Sequence, residues 1–411
     1  MARFDSGERF PLVLDKRGIP LCDPALYLAN ERELAVNTLD SKARTIAMVH
    51  NFLRAYGIDL RARLADGHVL DYAETSALRH YIRTVGSRSR MIEARRNPEH
   101  SKRAAKGREI VAGQEWHRRR LRAADYLGWL VDRVKTELRV APHQSIRIEK
   151  ELAKAVLIIS DGAGPATAGD QAALSPEQWP ILLEAIRPGS GTNPFAERHQ
   201  FRNFALIATY WENGLRRSEA MGLQVEDLSA AGDQPTLKLV YRPDDPDETR
   251  ARPPGLKTMP RAVPITPILH GVLWEYINLH RRQIPSNKGH KDAMRRLRSN
   301  PFIFVSSRGS PLSLSSVQKI FDTLRMRTAG LPVNLSPHAL RRTWNDMFTE
   351  MRGESLGPRE TELREFLMGW VRGSPQTARY ARGSTQREAH QAIVEMQQQW
   401  MSRWEALRNE S

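Results

Sequence analysis

The sequence predicts a mainly α-helical protein with one small β-sheet, built as two domains: a helical N-terminal domain and an α+β C-terminal domain. Three observations lead there. Apolar residues recur at helical spacing in several segments, clear strand alternation is confined to residues 236–265, and a run of small and polar residues, 162–173, divides the chain. With 411 residues, 40% hydrophobic and 27% charged, there is enough apolar material for two cores.

The elements follow in chain order. Residues 1–30 are expected to form an N-terminal extension, with 9–30 as short extended pieces around a turn at Lys16-Arg17-Gly18. The helical domain spans 31–161. Its first helix is capped by Asp40 or Ser41 and stopped by Gly57, burying Ile46, Val49, Leu53 and Tyr56. A second helix runs from Asp71 to about Arg83 with Leu78 and Ile82 inward. A basic insertion fills about 85–110, from Arg88 to Arg108. A long helix then runs from Gln114 to about Leu138, burying Leu121, Leu127, Leu130 and Val131 and carrying Arg118, Arg119, Arg120 and Arg122. Residues 162–173 read as a linker.

The second domain is expected at 174–411. Ser175-Pro176-Glu177-Gln178 reads as an N-cap, a proline at the first helical position and the glutamine of a capping box. Thr236–Ile265 reads as a β-hairpin with a long mobile tip. Residues 352–359 look like a loop, and a final helix covers 386–408 with Ala389, Ile393, Met396, Trp400 and Trp404 on one stripe. That stripe is buried either on its own domain or on a neighbouring subunit.

Charge narrows the function. Sixty-three Lys and Arg against 47 Asp and Glu leave a net charge of +16, which calls for a polyanionic partner such as double-stranded DNA. Lys42 and Arg44, with Arg118, Arg119, Arg120 and Arg122, are the candidate phosphate contacts on ordered helices. The alternative for such a face is solvation without a partner. Cys22 is the sole cysteine, so an internal disulfide or a Cys-rich zinc site is excluded. No apolar run approaches the ~20 residues of a membrane span, and the first residues carry no apolar leader, so no membrane partner is expected. A cytoplasmic protein associated with the nucleoid is expected.

Four segments carry chemistry together: Gly214-Leu215-Arg216-Arg217-Ser218-Glu219, Leu256-Lys257-Thr258, His338-Ala339-Leu340-Arg341, and Met368-Gly369-Trp370 followed by Tyr380. Breaking a phosphodiester places extra negative charge on its non-bridging oxygens. Guanidiniums answer that charge with forked donors at any working pH, and Arg216 and Arg341 are the candidates. The leaving oxygen needs a proton, which Lys257 can give. A phenol is a competent nucleophile for a covalent ester, and Tyr380 is the only tyrosine after Tyr276. His338, three residues before Arg341 on one helix face, can assist proton transfer or hold the phosphate. Arg250, Arg252 and Arg261 compete with Lys257 for its place on the hairpin.

These residue types in this order resemble the tyrosine recombinase, or phage integrase, family. The resemblance covers the second domain through Leu-Lys-Thr-Met-Pro-Arg-Ala-Val-Pro-Ile at 256–265 and His-Ala-Leu-Arg-Arg-Thr at 338–343. It reaches into the first through Arg118 to Trp129, which is similar to the last long helix of the family's SAM-like core-binding domain. The resemblance implies that Arg216 and Arg341 bind the scissile phosphate, that Lys257 protonates the leaving 5′ oxygen and that His338 helps in acid–base transfer. It also implies that Trp370 packs or bonds at the phosphate, that Glu219 buttresses Arg216 and that Tyr380 forms a 3′-phosphotyrosyl link. It implies no cofactor and no metal, a homotetramer on DNA tied by helix 386–408, accessory recombination proteins, and integration or excision of a mobile element. Two other functions fit the same residues: a type IB topoisomerase-like enzyme that relaxes DNA, and a non-catalytic DNA-binding regulator. The chain departs from the family's pattern in a longer stretch between Arg341 and Trp370, a longer gap to Tyr380, and the basic insertion.

Overall fold

A computed structural model gives the architecture for residues 1–85, 109–111, 113–162, 173–230, 234–256, 258–283, 290–356, 359–370 and 389–402. The chain divides into two compact units, residues 1–4 with 9–169 and residues 5–8 with 170–411.

The first unit is a helical bundle. Strands β1 (Ala2–Arg3) and β2 (Arg9–Phe10) pair antiparallel, and Leu14 bridges Pro20. The extended reading holds only to there, because α1 occupies Cys22–Asn30. Pro24 falls in its first turn, where a missing N–H is harmless, and Pro24, Tyr27 and Leu28 bury. Helix α2 spans Val36–Ala55 and begins before the expected Asp40 or Ser41 cap, because buried Leu39 anchors an extra turn to the core. After the short α3 (Leu60–Ala65), α4 (Tyr72–Arg83) starts at Asp71 with a reciprocal capping box: Glu74 N–H donates to Asp71 and Asp71 N–H donates to Glu74. Strands β3 (Thr84–Val85) and β4 (Glu109–Ile110) pair antiparallel and so join the ends of the basic insertion, whose residues 86–108 lie outside the described residues. The long helix α5 (Gly113–Leu138) buries Leu127, Leu130 and Val131 but leaves Leu121 exposed, correcting that expectation. It packs along α6 (Pro142–Ser160), for which the sequence reading proposed no helix.

The second unit is also mainly helical. Helix α7 (Gln178–Ile186) starts later than the expected Ser175 cap: Glu177 is its N-cap, Ser175 Oγ donates to the Glu177 carboxylate at 2.6 Å, and of the expected box only the return bond forms, with Gln178 Oε1 accepting from Ser175 N–H at 3.0 Å. Then come α8 (Glu197–Asn213) and α9 (Arg217–Gly222). A three-stranded antiparallel sheet follows, ordered β5 (Leu228–Ser229), β6 (Thr236–Leu239), β7 (Arg261–Pro264), with Leu237 opposite Val263. The β6–β7 connection is not a loose tip. Arg250, buried, donates to Glu248 and to the carbonyls of Met221 and Leu312, and Arg242 donates to Asp227.

Helices α10 (Pro267–Asn278), α11 (His290–Arg298), α12 (Leu314–Arg327), α13 (Pro337–Leu356) and α14 (Glu360–Met368) complete the shell. The expected loop at 352–359 is largely absorbed, since α13 continues through Leu356. Helix α15, residues 389–402, packs in its own unit: Ala389, Ala392, Ile393, Met396 and Trp400 join the core that holds Trp344, Tyr210 and Phe321. Two of its side chains grip β7, as Gln397 Nε2 donates to Pro264 O at 2.9 Å and His390 bonds Ala262 O at 3.1 Å. Trp404 lies outside the described residues. Among the described residues no helix is long and apolar enough to cross a membrane.

Candidate active site

The site starts from a helix stop. Gly214 ends α8 in the left-handed region at φ +56°, and a Cβ there would lie 2.9 Å from Trp344 Cγ. Only glycine tolerates both the angle and the indole. The stop turns the chain so that buried Leu215 anchors it and Arg216 stands extended at the N-cap of α9. Glu219, on the first turn of α9, reaches back and accepts from Arg216 N–H at 2.7 Å, the acidic half of a capping box.

Arg341 arrives from another helix. Ser336 Oγ accepts from Ala339 N–H at 3.2 Å and opens α13, which places Arg341 one turn in and His338 on an exposed flank. Trp344 Nε1 donates to Glu212 O at 3.0 Å and fastens α13 to the end of α8. Arg341 is 3% exposed and donates to Gly214 O at 2.7 Å and Met368 O at 3.1 Å. Arg216 donates to the same Met368 carbonyl at 3.4 Å. That carbonyl ends α14, where Gly369 adopts φ +64° and Trp370 N–H returns to Glu365 O. The exposed Trp370 ring lies 5.8 Å from the Arg341 guanidinium carbon, a cation–π contact.

Glu219 is the counter-charge. Its carboxylate lies 3.5 Å from Arg216, 3.6 Å from Arg341 and 3.4 Å from Arg261, and it accepts from Thr258 Oγ1 at 2.6 Å. Burial would raise its pKa, but Arg261, the Thr258 hydroxyl, Arg341 and the Arg216 N–H together hold it below the usual carboxylate range. Burial pushes Arg341 down to about 9, with Arg216 and Arg261 acting the same way and Glu219 opposing them. Three guanidiniums around one carboxylate leave an excess of positive charge, which a phosphate can neutralise. His338 is lowered by partial burial and by the charges of Arg342, Arg341 and Arg216, so its neutral, proton-accepting form is favoured.

The structure therefore brings together Arg216, Glu219, His338, Arg341 and Trp370 of the expected site. Lys257 and Tyr380 lie outside the described residues. Of the neighbours of Lys257 in the chain, Leu256 packs against the core of the unit and Thr258 bonds Glu219 in this site. Two participants were missed. In the sequence Arg261 stands only as a rival to Lys257, although its signal is present in the Lys-Thr-Met-Pro-Arg run. The Met368 carbonyl is a main-chain group and has no sequence signature.

In the first unit the expected phosphate contacts separate. Arg120 is corrected: it is 1% exposed and donates to the carbonyls of Ser160 and Gly162, holding the end of α6. Arg119 pairs with Glu115 and donates to Ile82 O, and Lys42 pairs with Glu31. Arg122, half-buried, donates to Ser41 Oγ at 2.6 Å. Arg44 and Arg118 are exposed, bonded to Asp40 and Gln114 on their own helices.

Residues 173–387 match the phage integrase family. Tyrosine recombinase XerC of Bradyrhizobium diazoefficiens is 29% identical over 143 residues, 35% of this chain and 36% of that protein, so the match spans about a third of that relative's length. Tyrosine recombinase XerD of Corynebacterium glutamicum is 24% identical over 319 residues, 77% of this chain and 80% of that protein. The crystal structure of XerH site-specific recombinase bound to its difH substrate, a pre-cleavage complex, aligns at 14% identity with a TM-score of 0.37, over 89% of this chain and 86% of that one.

Proposed function

This chain belongs to the phage integrase family, the tyrosine recombinases that break and rejoin DNA, and on that premise we propose that it is a site-specific recombinase acting through a 3′-phosphotyrosyl intermediate. The observation that carries the reading is the convergence of Arg216 and Arg341 on one point, the Met368 carbonyl, with Glu219 fixing both. Two forked cations held at one spot suit the two non-bridging oxygens of a scissile phosphate.

In the proposed step the Tyr380 oxygen attacks phosphorus and the bond from phosphorus to the 5′ oxygen breaks. The phenol proton passes to neutral His338, and the leaving 5′ oxygen takes a proton from Lys257. The phosphodiester becomes a phosphotyrosyl ester of similar energy. Attack by the 5′ hydroxyl of another strand therefore reverses the step and rejoins DNA without an external energy source. The substrate is double-stranded DNA at the ends of a mobile element, and the active assembly is a homotetramer. Arg44 and Arg118, both exposed, support phosphate contact by the first unit.

The test is a suicide substrate: a nicked duplex from the ends of the element encoding the protein, incubated with wild type and with Tyr380→Phe. An SDS-resistant adduct from wild type alone is expected. An adduct from Tyr380→Phe, or none from wild type on any end sequence, would overturn the reading.

A further inference from the structure

We propose that Arg261 is a positioning residue for strand cleavage, a tether that fixes Thr258, the residue after Lys257 in the chain, against Glu219 and the Arg216–Arg341 pair. The inference rests on the recombinase reading above and adds to it a residue with no assigned part.

Arg261 opens β7, and its side chain is 3% exposed. Its donors reach three separate pieces of the site. Nε donates to Leu367 O at 2.7 Å, in the last turn of α14 beside Met368. Nη1 lies 3.4 Å and Nη2 3.5 Å from the two Glu219 oxygens, which makes the contact bidentate. Nη1 also donates to Thr258 Oγ1 at 3.1 Å. One planar group thus joins the start of β7, the base of Arg216 and the turn ahead of Trp370.

Two further contacts close the arrangement. Met259 N–H donates to Gly369 O at 3.2 Å, and Thr258 Oγ1 donates to Glu219. Gly369 admits this approach, since a Cβ there would lie 2.5 Å from Arg261 Nη1 and 2.9 Å from Thr258 Cβ. Lys257 itself lies outside the described residues, yet Leu256 and Thr258 on either side of it are both held. A buried arginine could serve stability alone, as Arg250 does. Arg261 differs because each of its partners also touches a phosphate-binding arginine, precedes one of its acceptors or adjoins Lys257. A proton donor needs such fixing, because acid catalysis is lost when the donor strays beyond hydrogen-bond reach.

The experiment compares wild type, Arg261→Ala, Arg261→Lys and Arg216→Ala on two suicide substrates. One is an ordinary duplex, and the other carries sulfur in place of the bridging 5′ oxygen. A thiol leaves as its anion, with a pKa of about 8.5, and needs no proton donor. Arg261→Ala is expected to form adduct on the order of 100-fold more slowly on the ordinary duplex and close to the wild-type rate on the sulfur one. Arg261→Lys is expected to stay slow on the ordinary duplex, because one ammonium cannot reach Leu367 O, Thr258 and Glu219 together. Arg216→Ala should be slow on both, since either substrate needs its phosphate charge answered. Equal slowing of Arg261→Ala on both substrates, or a wild-type rate for either Arg261 variant on the ordinary duplex, would overturn the proposal. Wild type with Tyr380→Phe beside it reports separately on the recombinase reading, through the presence and the tyrosine dependence of the adduct.

Discussion

Arg216 and Arg341, brought from two different helices, share one acceptor: the carbonyl of Met368, 3.4 Å from the first and 3.1 Å from the second. A main-chain dipole at the end of α14 thus occupies the negative focus between two guanidiniums. The pair is unequal. The Arg216 side chain keeps 30% exposure, whereas Arg341 is nearly closed off and also bonds Gly214 O.

That inequality separates two lysine variants. Arg341→Lys keeps charge but cannot fork to Gly214 O and Met368 O, and an abandoned buried carbonyl costs about 1–3 kcal/mol. Arg216→Lys, on the exposed side, should stay within about 1 kcal/mol of wild type. Adduct formation should fall on the order of 100-fold in both. Chemical denaturation beside the suicide-substrate assay checks this, and equal stability losses would contradict the assignment of Arg341 as the structural member.

Gly214 carries a stability prediction. Alanine there meets a left-handed φ of +56° and an indole carbon at 2.9 Å. The angle alone costs about 1–2 kcal/mol, and displacing Trp344 adds to it. Gly214→Ala should lower the urea midpoint by at least about 1 kcal/mol equivalent with an unchanged m-value. A midpoint equal to wild type would mean that the turn relaxes freely.

The first unit offers a contrast between neighbouring arginines. Arg118 is exposed, and Arg120 is buried against Ser160 O and Gly162 O. Arg118→Ala should flatten the plot of log affinity for duplex DNA against log salt by about 0.9, the share of one phosphate contact. Arg120→Met should leave that slope alone and lower the melting temperature. The reverse pattern would restore Arg120 as a DNA contact.

What the sequence could tell follows from which interactions are local. The Asp71 start of α4 and the Gly57 stop of α2 are set within a few residues, and both are legible in the sequence. The burial of Arg120 is not, because a basic run looks alike whether a given arginine meets solvent or the carbonyls of a helix more than a turn away in space. The extended reading of 9–30 fails from Cys22 onward, where Pro24 sits in the first turn of α1 and its missing N–H breaks no helical bond. The length of α13 through Leu356 was missed because Gly353 and Gly357 suggested a loop, while Leu356 packs against the core. In the site, Arg216, Glu219, His338 and Arg341 are legible by type and order, whereas Arg261 reads only as a rival to Lys257. Their spacing around the Met368 carbonyl is not legible, since no side chain marks it.

His338 gives a pH prediction. Its pKa is lowered from 6.5 by partial burial first, then by Arg342, Arg341 and Arg216. A lowered base stays neutral to lower pH, so the acid limb of the adduct-forming rate should lie below pH 6.5. His338→Gln should lose that limb. A wild-type rate that instead falls as pH rises through this range, and that His338→Gln flattens, would argue that His338 acts as a cation and not as a base.

Glu212 gives the last. Its side chain is half-buried behind the site, with the carboxylate accepting from Thr266 N–H at 2.6 Å and Thr266 Oγ1 at 2.8 Å, while its own carbonyl takes Trp344 Nε1. Burial raises its pKa to about 7, and the two Thr266 bonds do not offset it. An unfolded chain releases this proton near 4.5. Between those values the native state binds more protons than the unfolded one, so stability falls as pH rises through the window and levels off above it. The total is about 3 kcal/mol at 1.36 kcal/mol per pKa unit. Glu212→Gln imitates the neutral acid: its amide oxygen can accept from Thr266 N–H, its NH₂ can donate to the hydroxyl, and it does not titrate. Melts at about pH 5 should therefore be similar for the two proteins, and the variant should be the more stable at about pH 8. Should the two curves run parallel across that range, Glu212 is ionised throughout, and the junction of α8 with α13 behind Arg216 and Arg341 holds a buried charge instead.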